Sequence, residues 1–317
     1  LADTAETTAP FGVFTGDALF MGDTGRTDLY GEAEAERLAR TLHASLFEKL
    51  LPLGDGVLLF PAHGSGSVCG GDIARRNHSS VGFERLHNEK LVADRETFVA
   101  MKTGERHLVP PYFRRMEEWN QRGNAPVHLR VPTPPPLSPG ELAERMDGGA
   151  VAIDARMPQA FAGGHVPGSL NIWAGGLAAY LGWTVSPGTE IVLVLPEHAS
   201  VEAVTRTLLR IGYDEIGGVL RGGFESWQNE GRPVARHGTV DTGGLRALLA
   251  DEAATVLDVR KPSEQADGAV EGARRIFVGE LPRRLEEVPR DRPVVTMCSV
   301  GHRGALAASL LERHGFE

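Results

Sequence analysis

This chain repeats itself, and the repeat limits its fold more than any other feature. "VAIDARMPQAFAGGHVPGSLNI" (151–172) aligns with "TVLDVRKPSEQADGAVEGARRI" (255–276), and "IVLVLPEHASVEAVTRTLLRIGY" (191–213) with "VVTMCSVGHRGALAASLLERHGF" (294–316). Asp154 falls on Asp258, Arg156 on Arg260, Gly164 on Gly268, Gly168 on Gly272 and Ile172 on Ile276. Each copy runs strand, turn, helix, strand, helix, which predicts a parallel sheet covered by helices and thus two α/β domains in tandem. The copies are unequal. Leu195 stands where the second has Cys298, and Ser200 where it has Arg303. The first copy continues into "EIGGVLRGGFESWQNEGRPV" (215–234), which the second lacks, so the expectation is a chain cut at its C-terminus.

The 317 residues carry 33 Lys+Arg against 42 Asp+Glu, a formal net charge of −9. That balance lacks the basic face a phosphate backbone requires, so no nucleic-acid partner is expected. No apolar run approaches the roughly 18 residues of a bilayer span, and the N-terminus has no secretory pattern, so no membrane partner is expected either. Cys69 and Cys298 have no paired spacing and suit a reducing cytoplasm. The stretch "VPTPPPLSPGEL" (131–142) disfavours helix and central strand and predicts an extended spacer. The expected division is residues 1–130, a Pro-rich linker at 131–139, a first repeat copy at 140–236 and a second at 237–317.

Val294 to Thr296 reads as the end of a buried strand, and Ala305 to Leu311 repeats apolar residues at helical spacing. Cys298 is therefore expected at a strand-to-helix turn, where free N–H groups and the positive end of a helix dipole favour thiolate over thiol. The alternative is a small apolar core cysteine. Residues 137–317 resemble the rhodanese sulfurtransferase family. "IDARMPQAFAGGHVPGSLNI" is similar to its D-x-R…G-H-I-P-G-A…N segment, with Asp154, Arg156, His165, Pro167 and Gly168 in place, and "CSVGHR" resembles its active loop. The second copy departs from the first motif at Ala269 and Glu271. A loop with Cys298 at its base turns the N–H groups of Ser299, Val300, Gly301, His302 and Arg303 inward as an anion nest. Four residues between Cys298 and Arg303 suit a sulfur carried on the cysteine, whereas a fifth would widen the ring toward the cradle of cysteine phosphatases. Sulfur transfer is expected: Cys298 as nucleophile, Arg303 as the cation that stabilises an anionic donor or the thiolate, and residues 299–302 against the substrate. The first copy, with Leu195 in the nucleophile's place, is expected to be inactive, and His165 to serve its own turn.

In the first third, Asp17 follows the apolar run of "FGVFTGDALF", and His63 sits where "GVLLFPAHG" enters a glycine-rich loop. A strand-end aspartate can face a metal or cap a turn. Taken together, "FTGDALF", "GRTDL", "PAHGSGSVCG" and "PPYFRRMEEWN" resemble the metallo-β-lactamase fold in its glyoxalase II and persulfide dioxygenase branch. That resemblance implies that Asp17 is a metal ligand, bound to iron in dioxygenases and bridging two metals in hydrolases. It implies that His63 completes the second metal position of the hydrolases, and that Arg26, beside Asp28, is structural or near glutathione. Fe(II) held by two histidines and one carboxylate leaves positions for dioxygen and a substrate sulfur. The family's H-x-H-x-D-H motif is not in this chain, where no two of the 11 histidines are separated by a single residue. With Leu1 first, the expectation is a fragment that lacks the N-terminal half of this fold and exposes core surface.

The expected fold is thus α/β: the C-terminal half of a metallo-β-lactamase αββα sandwich, then two rhodanese-like domains with parallel sheets. The resemblance implies a sulfur-metabolism enzyme, a glutathione persulfide dioxygenase coupled to rhodanese sulfur transfer through a Cys298 persulfide. Fe(II) would be its metal, with no organic cofactor. Its partners would be glutathione persulfide or another sulfane-sulfur donor and a thiol acceptor, with self-association left open. The alternatives are a glyoxalase II-like thioesterase with two Zn, and a protein whose rhodanese copies are binding modules.

Overall fold

The computed structural model describes residues 9–65, 67, 70, 73–105, 107–123 and 130–317; Cys69 and part of the glycine-rich loop after His63 lie outside them. The chain divides into two compact units, Leu1–Val109 and Pro110–Glu317. Among the described residues no helix is long and apolar enough to cross a membrane.

The first unit pairs two parallel strands, β1 (Gly12–Gly16) and β2 (Leu58–Pro61). Between them runs α1 (Glu32–Ala44), extended by a π turn, and after them come α2 (Val81–His87), α3 (Glu89–Val92) and α4 (Arg95–Gly104). Leu19, Ala39, Leu46, Val57, Leu59, Val81, Leu91 and Phe98 form the core between helices and sheet. Among the described residues only one sheet face is covered. Phe14, Leu58 and Phe60 are exposed, with the Phe14 and Phe60 rings 5.5 Å apart. Alternation along a strand puts such residues on the face opposite the core. After β1 the chain folds back tightly: Gly25 N–H donates to Ala18 O, and a Cβ on Gly25 would lie 1.9 Å from Asp17 O. Only glycine permits that approach.

The second unit begins with α5 (Tyr112–Arg122), ended by Gly123 in the left-handed region. Its first sheet contains β3 (Pro136–Leu137), β4 (Val151–Asp154), β5 (Leu170–Asn171), β6 (Ile191–Val194) and β7 (Ile216–Leu220), all parallel in the order β3-β7-β6-β4-β5. Between and after these strands run α6 (Pro139–Asp147), α7 (Pro158–Gly163), α8 (Leu177–Thr184), α9 (Val201–Arg210) and α10 (Gly223–Asn229). Every residue of β4 and β6 is buried, as the near-continuous apolar runs require of a sheet covered on both faces. The Pro-rich stretch is more than a spacer. Pro136 and Leu137 form an edge strand, and the carbonyls of Pro135 and Leu137 accept from the N–H groups of Val219 and Arg221. Proline carbonyls can accept where proline nitrogens cannot donate, which confines proline to such an edge. Ser138 and Glu141 then close a capping box on α6.

The second sheet is smaller. After α11 (Thr242–Ala250) come β8 (Thr255–Asp258), α12 (Pro262–Ala266), β9 (Arg274–Arg275), β10 (Val294–Met297) and α13 (His302–Arg313), with the parallel order β10-β8-β9. These strands match β6, β4 and β5 of the first sheet, but β10 is only half-buried. The repeated aspartate explains the repeated arginine. Asp154 and Asp258, each at the end of a strand and wholly buried, clamp Arg156 and Arg260 through two guanidinium nitrogens, and each arginine also donates to the carbonyl of Gly164 or Gly268. The α/β class with parallel sheets, read from the repeat, is the one observed.

Candidate functional site

Cys298 follows β10 and is partly exposed, so it is not a sealed core thiol. Helix α13 starts four residues later, with Gly301 as its N-cap at φ 87° and no side chain capping the helix. A Cβ on Gly301 would meet nothing within 4 Å, so the positive φ and not lack of space calls for glycine. Helix N-termini leave their first N–H groups without partners inside the helix. Here Gly304 N–H, one residue beyond the predicted nest, points to Cys298 Sγ at 3.4 Å. The preceding strand holds this turn, Thr296 Oγ1 of β10 donating to Gly304 O at 2.9 Å.

Arg303 lies in the first turn of α13, but its guanidinium is engaged. It donates through both terminal nitrogens to Glu264 of α12, one contact being 2.8 Å to Oε1 and the other reaching Oε2. Ser299 Oγ donates to the same carboxylate at 3.2 Å and accepts from Arg303 at 3.3 Å. These hydrogen bonds, that of Arg303 foremost, bring the Glu264 carboxyl down to about 2. Val300 is 67% exposed at the loop's tip. The His302 ring sits 4.3 Å from Trp173, which belongs to the first copy, and Trp173 in turn lies 5.4 Å from Tyr180. Burial pushes the Tyr180 hydroxyl up, with the charge of Arg303 opposing. Glu264, Gly304, Trp173 and Tyr180 are site residues that the sequence reading missed. The repeat carried a signal for one of them: Glu264 aligns with Ala160 in the copy that has Leu195 and Ser200 in place of Cys298 and Arg303.

In the first unit, the parallel pairing of Gly16 with Pro61 puts Asp17 and His63 at the same end of β1 and β2. Asp17 Oδ1 and His63 Nε2 are 3.4 Å apart, and both side chains are open to solvent. Two ligands at one strand end are short of a metal site with three protein ligands. Among the described residues no further His, Cys, Asp or Glu joins them in a group of three. These residues alone do not fit an iron centre, and no step is derived through one. Arg26 is turned inward, its side chain 1% exposed and its guanidinium bound to both Asp28 oxygens at 2.8 and 2.6 Å. It braces the loop and presents no open face to a substrate.

A solved metallo-beta-lactamase from Staphylococcus aureus subsp. aureus COL aligns with a TM-score of 0.57 and 28% identity, covering 68% of this chain. The chain spans 59% of that structure. The hydroxyacylglutathione hydrolase GloC of Haemophilus influenzae is 45% identical over 58 residues, 18% of this chain and 24% of that protein. A sulfurtransferase of Allochromatium vinosum is 35% identical over 78 residues, 24% of this chain and 73% of its own length. The rhodanese-like domain model matches residues 138–230 and 241–317, more than half of the chain. By this match, and by its repeated parallel sheets and cysteine turn, this chain belongs to the rhodanese-like domain family.

Proposed function

We propose that this chain transfers sulfane sulfur through a persulfide on Cys298. The observation that carries the reading is the partly exposed sulfur at the uncapped start of α13, with the Gly304 N–H directed at it. The Cys298 thiolate attacks the outer sulfur of a donor such as thiosulfate or an organic persulfide. The donor's S–S bond breaks and its electron pair leaves with sulfite or a thiolate, while a new S–S bond forms on Cys298. An acceptor thiolate then attacks the terminal sulfur, takes it as a persulfide and returns Cys298 to thiolate. Helix N–H groups favour the anion at each stage. The 35% identity to a sulfurtransferase supports this chemistry. Mass spectrometry after incubation with thiosulfate tests it: one sulfur added to the Cys298 peptide and removed by cyanide is expected, and an unmodified thiol would refute it.

The first unit is proposed to derive from a glutathione persulfide dioxygenase, on the strength of "FTGDALF" and "GRTDL". The closeness of His63 to Asp17 and the identity to GloC favour a second reading, a two-metal glutathione thioesterase. Metal analysis of the intact protein separates them: about one iron supports the dioxygenase and about two zinc ions the thioesterase.

A further inference from the structure

We propose that His165, His237 and Glu312 form a binding site for a divalent transition metal of the zinc class, tying together the two rhodanese copies. His165 comes from the turn after α7 in the first copy, His237 from the connection between the copies, and Glu312 from the last turn of α13 in the second. Their candidate ligand atoms all lie within 4.8 Å of one another.

The hydrogen bonds around His165 argue for a cation at the centre. Its ring is fully buried, stacked on Phe161 at 3.7 Å, and its Nδ1 lies 2.9 Å from Phe161 O. A carbonyl only accepts, so Nδ1 carries the proton and Nε2 turns toward Glu312. That is how a metal-binding histidine is held, its second nitrogen donating to a backbone carbonyl. Nε2 is 2.8 Å from Glu312 Oε2, and the same oxygen lies 2.5 Å from His237 Nε2. Two imidazole nitrogens thus meet one carboxylate oxygen; with Nδ1 protonated, His165 can meet it only as a buried imidazolium or across a metal ion, and a single metal ion would serve both histidines.

The spacing and chemistry suit zinc. Around a tetrahedral zinc with bonds near 2.0–2.1 Å, ligand atoms lie about 3.3 Å apart, so Glu312 need draw back by less than about 1 Å. Its side chain is 28% exposed and can do so. His237 and Glu312 also line a cavity of about 590 Å³ with Ala162 and Arg236, which offers a way in and room for a water ligand. Neither residue has a counterpart in the other copy: His165 aligns with Ala269, and Glu312 with Leu209.

Isothermal titration with zinc decides the matter. The full chain is used with Cys69→Ser, Cys298→Ser, Asp17→Ala and His63→Ala, which remove both thiols and the strand-end pair as competing donors. About one equivalent should bind, and His237→Gln or Glu312→Gln should each weaken binding by about tenfold or more. Zinc should raise the unfolding temperature of the parent and of neither variant. Absence of binding, or binding that neither substitution weakens, overturns the site. Should a variant fail to fold, cobalt(II) added to the parent still discriminates. Intense visible bands of a four- or five-coordinate ion support the site, and the faint spectrum of the hydrated ion refutes it.

Discussion

The two rhodanese copies share a scaffold and differ in how their matching helix begins. In the first, α9 starts at Val201 with Ser200 as its cap, the hydroxyl accepting from Ala203 N–H at 3.2 Å. In the second, α13 starts two positions earlier in the repeat frame, and no side chain caps it. Arg303, aligned with the capping Ser200, is drawn instead into the first turn and onto Glu264. Leu195 is buried where Cys298 is partly exposed. A satisfied helix end gives a structural turn. An unsatisfied one, backed by a thiol, gives a place for an anion.

The sharpest way to break this comparison is to exchange the nucleophile. Cys298→Ser should lower thiocyanate formation from thiosulfate and cyanide by at least about a thousandfold, since the group that makes the covalent bond is gone. Adding Leu195→Cys to that variant should restore nothing, because position 195 is buried and the first copy has Ser200 where the second has Arg303. Recovery of activity would mean that a cysteine alone, and not the helix start, separates the copies.

The shared clamp gives the next largest effect. Asp154→Ala and Asp258→Ala each strand a mostly buried arginine, a loss typically worth about 3–5 kcal/mol. Urea unfolding should show similar costs for both, because the two clamps match atom for atom. A cost below about 1 kcal/mol for Asp258→Ala alone would show that the smaller sheet does not depend on its clamp.

Much of this was legible in the sequence because it is local. The repeat gave the alternation of strand and helix within each copy, and the strand-to-helix turn at Cys298 followed from one change in periodicity. The convergence of Asp17 and His63 was readable only through the resemblance, since 46 positions separate them. Glu264 was missed because its partner Arg303 is 39 residues away and arrives there only when α12 packs beside the loop. Trp173 and Tyr180 were less accessible still. They reach the cysteine loop because the first copy docks on the second, and no periodicity within either copy encodes that docking. The motif left Arg26 open between a structural role and a place near glutathione; its side chain is buried against Asp28, which supports the first.

Glu264 offers a test of intermediate size. Its carboxylate holds Arg303, so Glu264→Gln should release a cation beside Cys298 and lower KM for thiosulfate about tenfold at low ionic strength, roughly 1.4 kcal/mol. An unchanged or higher KM would mean that Glu264 does not compete with the donor for Arg303. The pH dependence has a definite sign. The carboxyl is depressed to about 2 when folded, so the ion pair contributes fully above its unfolded value near 4.3 and is lost as pH falls from there through about 2. Loop rigidity, followed by proteolysis, should therefore be flat at neutral pH and fall only in acid.

The smallest predicted effect isolates the cap. Ser200→Ala leaves Ala203 N–H without its side-chain partner and should destabilise the first copy by about 1 kcal/mol, the usual cost of losing an N-cap hydroxyl. The aligned change in the second copy, Arg303→Ala, removes no cap, because α13 has none to lose. Its cost should appear in sulfur transfer instead. Tryptophan fluorescence can follow the first copy once Trp119 of α5 is replaced by Phe, since the other three, Trp173, Trp183 and Trp227, lie in that copy and the second has none. A urea midpoint that moves for Ser200→Ala, with activity unchanged, makes the capped helix end structural. A midpoint that stays put would mean that Ser200 does not hold the end of α9 and that the two helix starts are energetically alike.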